Sequence, residues 1–348
     1  MTWHGTSGQP RLHIVTGKGG TGKTTVAAAL ATALAVEGSR VLLVETEERQ
    51  GISQVLDVAP LGTEEVDVAS GLDGGDVLGL SVEAGTALVE YLRLFYRLGR
   101  AGDLLHRMGA IEFATTIAPG VRDVLIGGRI YEAVRRTAGQ TAGSRRRRGK
   151  DDHPAYDAVV VDAPPTGRIG RFLDVTGQLA DLARVGPIRN QADAVSALLH
   201  SPTTVVHLVT LLEQLPVQET LDAVAELSAD GLQVGALVVN QRRDAAAREA
   251  VDLVAATDPD RELLAGQLES VGIRTSAAMV EGLVQTAADA VERRDLELSL
   301  EEAVVASGRP ILTLPHLPEG VGSDAVRRLA AELAAQGVTP DPATGGAG

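Results

Sequence analysis

Short runs of β-branched and aliphatic residues recur along this chain, separated by longer stretches with helical spacing of apolar positions. Near-continuous apolar runs such as Ala158-Val159-Val160-Val161 are typical of strands buried on both faces. The alternation predicts an α/β fold with a mostly parallel sheet of about seven or eight strands and helices on both faces. The predicted strands are 12–16, 41–45, 77–82, 157–162, 204–210, 234–240 and 310–314.

Helical periodicity is clear after the first predicted strand. Val26, Leu30 and Leu34 lie four residues apart and so share one face, and Gly38 is a candidate C-terminal cap near the end of that helix. A helical insertion is predicted over 84–136 together with 171–200. Its start carries an apolar arc, which is either a client-binding surface or an ordinary packing or dimer contact, made of Ala87, Leu88, Tyr91, Leu92, Phe95 and Tyr96.

Three segments are predicted to lack regular structure. Residues 1–10 are polar with Gly and Pro, 137–153 form a flexible basic loop, and 338–348 end in Pro, Thr and Gly. The arginines at 145–148 are followed by two aspartates, which favours a solvated charge run over an anion-binding patch. Residues 11–337 are then expected to form one domain.

Composition narrows the possible functions. The net charge of −14 argues against binding to nucleic acid or an anionic membrane, because both depend on positive charge. The sequence contains no cysteine, which excludes a disulfide framework, a thiolate zinc site and a cysteine-held iron–sulfur cluster. No apolar run reaches the ~20 residues of a membrane span, and the N-terminus lacks the pattern of a signal peptide. A cytoplasmic protein is expected.

A glycine-rich loop lies between the first predicted strand and the first predicted helix. It follows the pattern Gly, four residues, Gly-Lys-Thr, in which backbone N–H groups surround nucleotide phosphates at a helix N-terminus. Lys23 is expected to reach the β- and γ-phosphates, and the Thr24 hydroxyl to bind Mg²⁺. Lys18 is a second lysine in the loop, beyond the one that a nucleotide requires. The expected phosphate-binding residues are Gly17, Gly19, Gly20, Thr21, Gly22, Lys23, Thr24 and Thr25.

Acidic residues follow two predicted strands. Asp162 comes directly after an apolar run, so its carboxylate should emerge beside the phosphate loop and bind the Mg²⁺ shell. Glu47 follows the strand 41–45 and is the predicted group that orients the attacking water. The alternative is that Glu45, Glu47 and Glu48 form a solvated strand end.

Base recognition needs donors and acceptors on loops near the same edge. Asn240 ends a predicted strand with an amide suited to an adenine edge. Pro315 and Leu317, after the last strand, are predicted to pack on the base, whereas His316 is interpreted as loop surface. The other histidines show no metal-binding spacing.

These motifs together resemble the dimeric P-loop ATPases with a deviant phosphate loop. Within that group the chain resembles the family of arsenite-pump and tail-anchored-protein-targeting ATPases, over about residues 11 to 335. The features that carry the resemblance are Gly17–Thr25, the strand from Val41 to Val44 with its acidic end, Asp162 to Arg168, Glu219-Thr220 and Val238 to Gln241.

The resemblance implies ATP sandwiched between two chains, in a homodimer or a heterodimer with a related chain, with Lys18 reaching the partner's nucleotide. ATP and Mg²⁺ are the implied ligands, and the resemblance further implies that ATP closes the dimer and hydrolysis opens it. The family's Asp-Pro-Ala is replaced here by Glu47-Glu48-Arg49, so hydrolysis is expected to be slow. Without cysteine, a thiolate metalloid site and a zinc clasp between chains are excluded, which argues against arsenite extrusion.

Three functions remain open at this point. The first is an ATP-hydrolysing dimeric switch that acts on an unidentified client or partner. The second is a targeting or chaperone-like factor that binds an apolar client segment. The third is a partition or division-site ATPase, against which the acidic charge and the near-neutral C-terminal helix weigh.

Overall fold

The described part of the chain folds into an eight-stranded sheet with helices packed on both faces. The computed structural model describes residues 3–4, 10–47, 49–82, 119–138, 153–174, 187–243, 249 and 260–339. The strands are β1 (Leu12–Gly17), β2 (Arg40–Glu45), β3 (Val66–Ser70), β4 (Asp76–Ser81), β5 (Ala158–Asp162), β6 (Thr204–Thr210), β7 (Val234–Arg242) and β8 (Ile311–Pro315). The helices are α1 (Lys23–Leu34), α2 (Gly51–Leu56), α3 (Pro119–Arg135), α4 (Thr166–Leu173), α5 (Pro187–Leu199), α6 (Gln214–Ala229), α7 (Arg261–Ser270), α8 (Ala277–Ala306) and α9 (Ser323–Ala335).

The strand order is β3-β4-β2-β5-β1-β6-β7-β8, and every neighbouring pair except β3–β4 is parallel. The seven predicted strands are all present, and the predicted α/β fold class is confirmed. The added strand is β3, an antiparallel edge strand with only one fully buried residue, Val68. Its sequence lacks the continuous apolar run that marks the central strands, because an edge strand need not be buried on both faces.

Helix α1 lies between the sheet and α9, with α2 beside it. Every residue from Thr25 to Leu34 is buried, so the helix is covered on several sides rather than on the single face predicted by its leucines. Its alanines allow this close approach. The helix ends at Leu34, four residues before Gly38, which lies instead in the turn before β2 with φ of 76°. The predicted cap at Gly38 is therefore wrong.

The opposite face of the sheet packs against a second core, to which α3, α4, α5 and α6 contribute. Helices α3 and α5 belong to the predicted helical insertion and pack against each other. The apolar arc from Ala87 to Tyr96 lies outside the described residues, as does most of the predicted basic loop.

Two segments predicted to be disordered contain residues that pack against the domain, Trp3 partly buried and Val338 fully buried. Trp3 stacks on the rings of His13 and His207, with centroids 5.4 and 5.2 Å away. Val338 is buried, and its N–H donates to the Leu333 carbonyl of α9 at 3.0 Å. These contacts hold Trp3 and Val338 against the domain.

Helices α7 and α8 pack on each other and bury little. No residue of α7 is fully buried, and α8, 30 residues long, has only Val280 and Val304 buried. Neither helix was predicted from the sequence. Large apolar side chains stay exposed on the two helices and their connection, namely Leu263, Val271, Ile273, Met279, Leu283, Leu296, Leu298 and Val305.

Candidate functional site

The phosphate loop joins the end of β1 to the start of α1, at the carboxyl edge of the sheet. A Cβ atom at Gly17 would lie 2.2 Å from the carbonyl oxygen of Val209 on β6. A Cβ atom at Gly22 would lie 2.4 Å from Asn240 Nδ2, and Gly22 also has φ of 88°. Glycine is therefore required at both positions, by close approach of neighbouring groups and by backbone conformation.

Helix α1 begins at Lys23, directly after the loop. Its first backbone N–H groups have no partner within the helix, and the helix dipole adds positive potential at this end. The loop is closed by Thr21, whose hydroxyl donates to the Lys18 carbonyl at 2.8 Å. Because β1 and α1 meet at the point where the sheet order reverses, this is the position at which α/β sheets bind ligands.

Asp162 ends β5 beside the loop. Its Oδ2 accepts a hydrogen bond from the Thr24 hydroxyl at 2.6 Å. The residue is 8% exposed, and its Oδ1 is buried with no hydrogen-bond donor among the described residues. Burial raises the pKa of Asp162 to about 6, although the Thr24 hydroxyl and the nearby Lys23 ammonium act in the opposite direction.

A second carboxylate, Glu45, lies beside Asp162 because the two residues are Cα partners across β2 and β5. Glu45 is 2% exposed, and its Oε1 accepts from the Gly51 N–H at 2.5 Å. Its Oε2 is buried with no donor among the described residues. Burial raises the pKa of Glu45 above its ordinary value. Glu45 is therefore no part of a solvated strand end, which was the alternative for this acidic stretch.

The buried position of Glu45 was not predicted, although the sequence contains a signal for it. Glu45 follows the apolar run from Val41 to Val44 directly, which is the same argument that singled out Asp162.

The oxygen atoms of Thr24, Asp162 and Glu45 are suitable ligands for a Mg²⁺ ion. Mg²⁺ prefers oxygen ligands and is usually held by one or two carboxylates together with substrate phosphates. Thr24 Oγ1 and Asp162 Oδ1 supply such donors, and Glu45 adds a buried oxygen close by. Within the described ranges, no group of three or more His, Cys, Asp or Glu side chains forms a metal cluster.

Glu47 is turned toward α4. Its Oε1 accepts from Arg168 Nη1 at 3.2 Å, and Oε2 lies 3.9 Å from Arg49 Nε. The Glu47 side chain is largely covered, whereas Arg168 and Arg49 are more exposed. Arg168 lies on the segment that follows Asp162, so this ion pair joins the end of β2 to the start of α4.

Lys18 has an ion-pair partner within its own chain. Its Nζ lies 2.6 Å from Glu219 Oε1 on α6. The other oxygen of Glu219 accepts from the Thr166 hydroxyl at 3.4 Å. From the sequence, Glu219 stands out only as part of a family motif, because pairing across 201 positions leaves no local pattern.

Asn240 lies under the phosphate loop. It is 5% exposed, and its Nδ2 donates to the Thr21 carbonyl at 2.9 Å. Beside it opens a cleft of about 630 Å³ between the ends of β6, β7 and β8 and the helix α8. His316 lines this cleft, while Leu317 packs against the core around α1. The cleft is lined by Leu211, Leu212, Glu213, Gln214, Asn240, Gln241, Arg242, Arg243, Arg293, Leu296, Glu297 and His316.

The chain is similar in sequence to known ATPases. The family model described as anion-transporting ATPase matches residues 11–199, which include the phosphate loop, Glu47 and Asp162. ATPase BagA of Mycobacterium tuberculosis is 46% identical over 330 residues, which cover 94% of each chain. The arsenical pump-driving ATPase of Escherichia coli is 29% identical over 264 residues, 68% of this chain and 42% of that protein.

Proposed function

The chain belongs to the anion-transporting ATPase family, and we propose that it binds and hydrolyses ATP as a nucleotide-gated dimeric switch. The observation that carries the proposal is the contact between the Thr24 hydroxyl and the Asp162 carboxylate, 2.6 Å apart at the mouth of the phosphate loop. This contact brings together the two sequence elements that a Mg²⁺-dependent nucleotide site requires.

Each residue of the loop has a defined task in this proposal. The N–H groups of the loop and of the first turn of α1 bind the phosphate oxygens, and Lys23 neutralises their charge. Thr24 and Asp162 would hold Mg²⁺, with Glu45 behind them. When bound, Mg²⁺ supplies charge stabilisation for the phosphoryl transfer.

Glu47 is the proposed water-orienting residue. Its carboxylate accepts from Arg168, so its position depends on the segment after Asp162. Orientation of water is a matter of placement, and a carboxylate one methylene longer than aspartate is placed with less restriction. Slow hydrolysis therefore remains part of the proposal.

Lys18 is proposed to act across a dimer interface, on the nucleotide of a second, identical or related chain. Lys23 already supplies the cation that one nucleotide needs, so Lys18 is not required for the nucleotide of its own chain. The adenine is proposed to lie near Asn240 and the start of the segment Pro315 to Leu317, beside the cleft lined by His316.

The client of the switch stays open. The predicted apolar arc at 87–96 is outside the described residues, so a targeting or chaperone-like function remains a hypothesis. The partition or division-site alternative is less favoured, because the apolar face of α9 is buried against α1 and the sheet. No helix in the described part of the chain is long and apolar enough to cross a membrane. We propose that the protein is located in the cytoplasm. We also propose a cargo other than arsenite, because the sequence has no cysteine to supply thiolate ligands.

ATP turnover by the purified chain tests the proposal, alone and with a related ATPase chain. We expect Lys23→Ala to lower ATP affinity and turnover strongly. Lys18→Ala should retain ATP binding and lose about 10²-fold or more in turnover, the scale for one preorganised charge at a transition state. Glu47→Gln should bind ATP and trap the dimer, as seen by light scattering. Binding without turnover in every combination would reject the enzyme function.

A further inference from the structure

Lys18 is held within its own chain by one carboxylate. The Lys18 Nζ to Glu219 Oε1 distance of 2.6 Å is that of a charge-assisted hydrogen bond. The two side chains are 29% and 42% exposed, so the pair is accessible to water. Ion pairs with this exposure contribute little to stability, and a phosphate group carrying more charge can displace such a carboxylate.

Glu219 also contacts the segment after Asp162. Its second oxygen accepts from the hydroxyl of Thr166, the first residue of α4, at 3.4 Å. Two residues further along α4, Arg168 pairs with Glu47. The first turn of α4 is therefore connected to the phosphate-loop lysine through Glu219 and to the end of β2 through Arg168.

We propose that Glu219 controls the availability of Lys18. While the pair is intact, the ammonium is directed to its own α6, and the pair must break before Lys18 reaches a nucleotide on a second chain. Glu219 thus sets the ATP concentration at which the dimer closes, and its bond to Thr166 links this step to the start of α4. The inference rests on the proposed dimeric switch.

Two features support a regulatory rather than a structural pair. Glu219 lies on the second turn of α6, where the buried residues Pro216, Val217, Thr220 and Ala223 hold the helix to the domain without it. Lys18 lies on the loop, whose fold is closed by Thr21 and Asn240 instead. Loss of the pair should therefore leave both elements in place.

The sequence allows a direct measurement of Lys18. Lys18, Lys23 and Lys150 are the lysines of the chain, all other basic side chains except histidine being arginine. Acetylation by an amine-selective reagent can thus be followed residue by residue by mass spectrometry, with Lys150 as the internal reference. Removing the carboxylate releases the amine from its hydrogen bond with Glu219 and leaves it free to react. Glu219→Gln should raise the rate at Lys18 about fivefold, the scale of a partly exposed ion pair.

The second measurement is ATP-dependent dimerisation, carried out in the Glu47→Gln background. Glu219→Gln should lower the ATP concentration for half-maximal dimerisation about fivefold. Asp222→Asn is the matched control, because it removes the same charge from the same helix at a residue bonded to Gln218 instead of Lys18. In the Lys18→Ala background, Glu219→Gln should have no further effect on dimerisation.

The outcomes separate this inference from the proposed function. If ATP drives dimerisation but Glu219→Gln changes neither Lys18 acetylation nor the ATP concentration required, Glu219 does not control Lys18 and the dimer stands. A higher ATP requirement in Glu219→Gln would also overturn the inference, since it would make Glu219 a residue that orients Lys18 for the partner. If ATP never drives dimerisation, the dimeric switch itself fails, and the control by Glu219 fails with it.

Discussion

At the scale of single residues, the site contains carboxylates whose burial raises their pKa values. Asp162 and Glu45 are adjacent carboxylates at the ends of neighbouring strands, each with a buried oxygen that lacks a donor among the described residues. Burying carboxylates without partners opposes folding above their pKa. Such a cost is typical of a site prepared for a cation, because the cation supplies the missing partner.

The pKa of Asp162 makes a testable prediction. Because it is raised to about 6, this carboxylate becomes protonated as the pH falls through 6. Its contribution to Mg²⁺-nucleotide binding should then decline about tenfold per pH unit below pH 6. Asp162→Asn should remove that dependence. The same substitution should raise the free energy of unfolding at pH 8, because a group whose folded pKa lies above its unfolded value loses stability as the pH rises.

The measurement is calorimetric binding of Mg²⁺-nucleotide between pH 5 and 8, with urea unfolding in parallel. The terminal phosphate of the nucleotide also titrates in this range and contributes its own pH dependence. Asp157→Asn, at the residue before β5, is therefore the reference variant. If wild type and Asp162→Asn showed the same pH dependence, Asp162 would not be the metal carboxylate.

At the scale of elements, packing rather than periodicity decides how the helices lie. Helix α1 has an alanine-rich sequence and is covered by the sheet, α2 and α9, which the leucine spacing alone did not predict. The apolar face of α9 supplies Val326, Leu329 and Leu333 to the same core. The phosphate loop therefore ends in a helix that is held from several sides, and this fixes the direction of the first N–H groups.

Shortening a buried side chain of α9 tests whether this helix supports α1. Leu329 is 2% exposed, so Leu329→Ala should lower the free energy of unfolding by about 2–5 kcal/mol through lost burial and a cavity. Leu298→Ala on α8, where the side chain is 44% exposed, should change it by no more than about 0.5 kcal/mol. Urea unfolding followed by circular dichroism distinguishes the two. Equal effects would mean that α9 is not an integral part of the domain.

At the scale of the whole molecule, two buried histidines join the central strands to the N-terminal segment. His207 Nδ1 accepts a hydrogen bond from the Ala236 N–H at 3.2 Å, so the proton of the neutral His207 ring is on Nε2. This Nε2–H donates to His13 Nδ1, 3.2 Å away. Trp3 stacks over both rings, and His4 is close enough to lower both pKa values further. Burial lowers the pKa of His13 to about 3 and that of His207 well below its ordinary value.

This pair predicts loss of stability in acid. A histidine whose folded pKa is lowered favours the folded state above pH 6.5, and that stability is lost as the pH falls. Each histidine should contribute a slope of about 1.4 kcal/mol per pH unit between pH 6 and 4. His13→Asn, which keeps an acceptor for His207, should reduce the slope by that amount, whereas the exposed His200→Asn should not. Urea unfolding at several pH values, read through Trp3 as the single tryptophan, gives the slope. An unchanged slope in His13→Asn would contradict the prediction.

Local patterns in the sequence were enough to predict the fold class, the strands of the buried sheet and the phosphate loop. Apolar runs, glycine spacing and Asp162 after its strand are local patterns, and local patterns follow directly from burial and backbone conformation. Other features arise only from tertiary contacts. Packing between distant segments determines the edge strand β3, the end of α1 before Gly38 and the burial of Glu45. It also determines the stacking of Trp3 on two histidines. The pair of Lys18 and Glu219 depends on the same kind of contact. Such contacts join residues far apart in the chain, and their energies carry no periodic signature in the sequence.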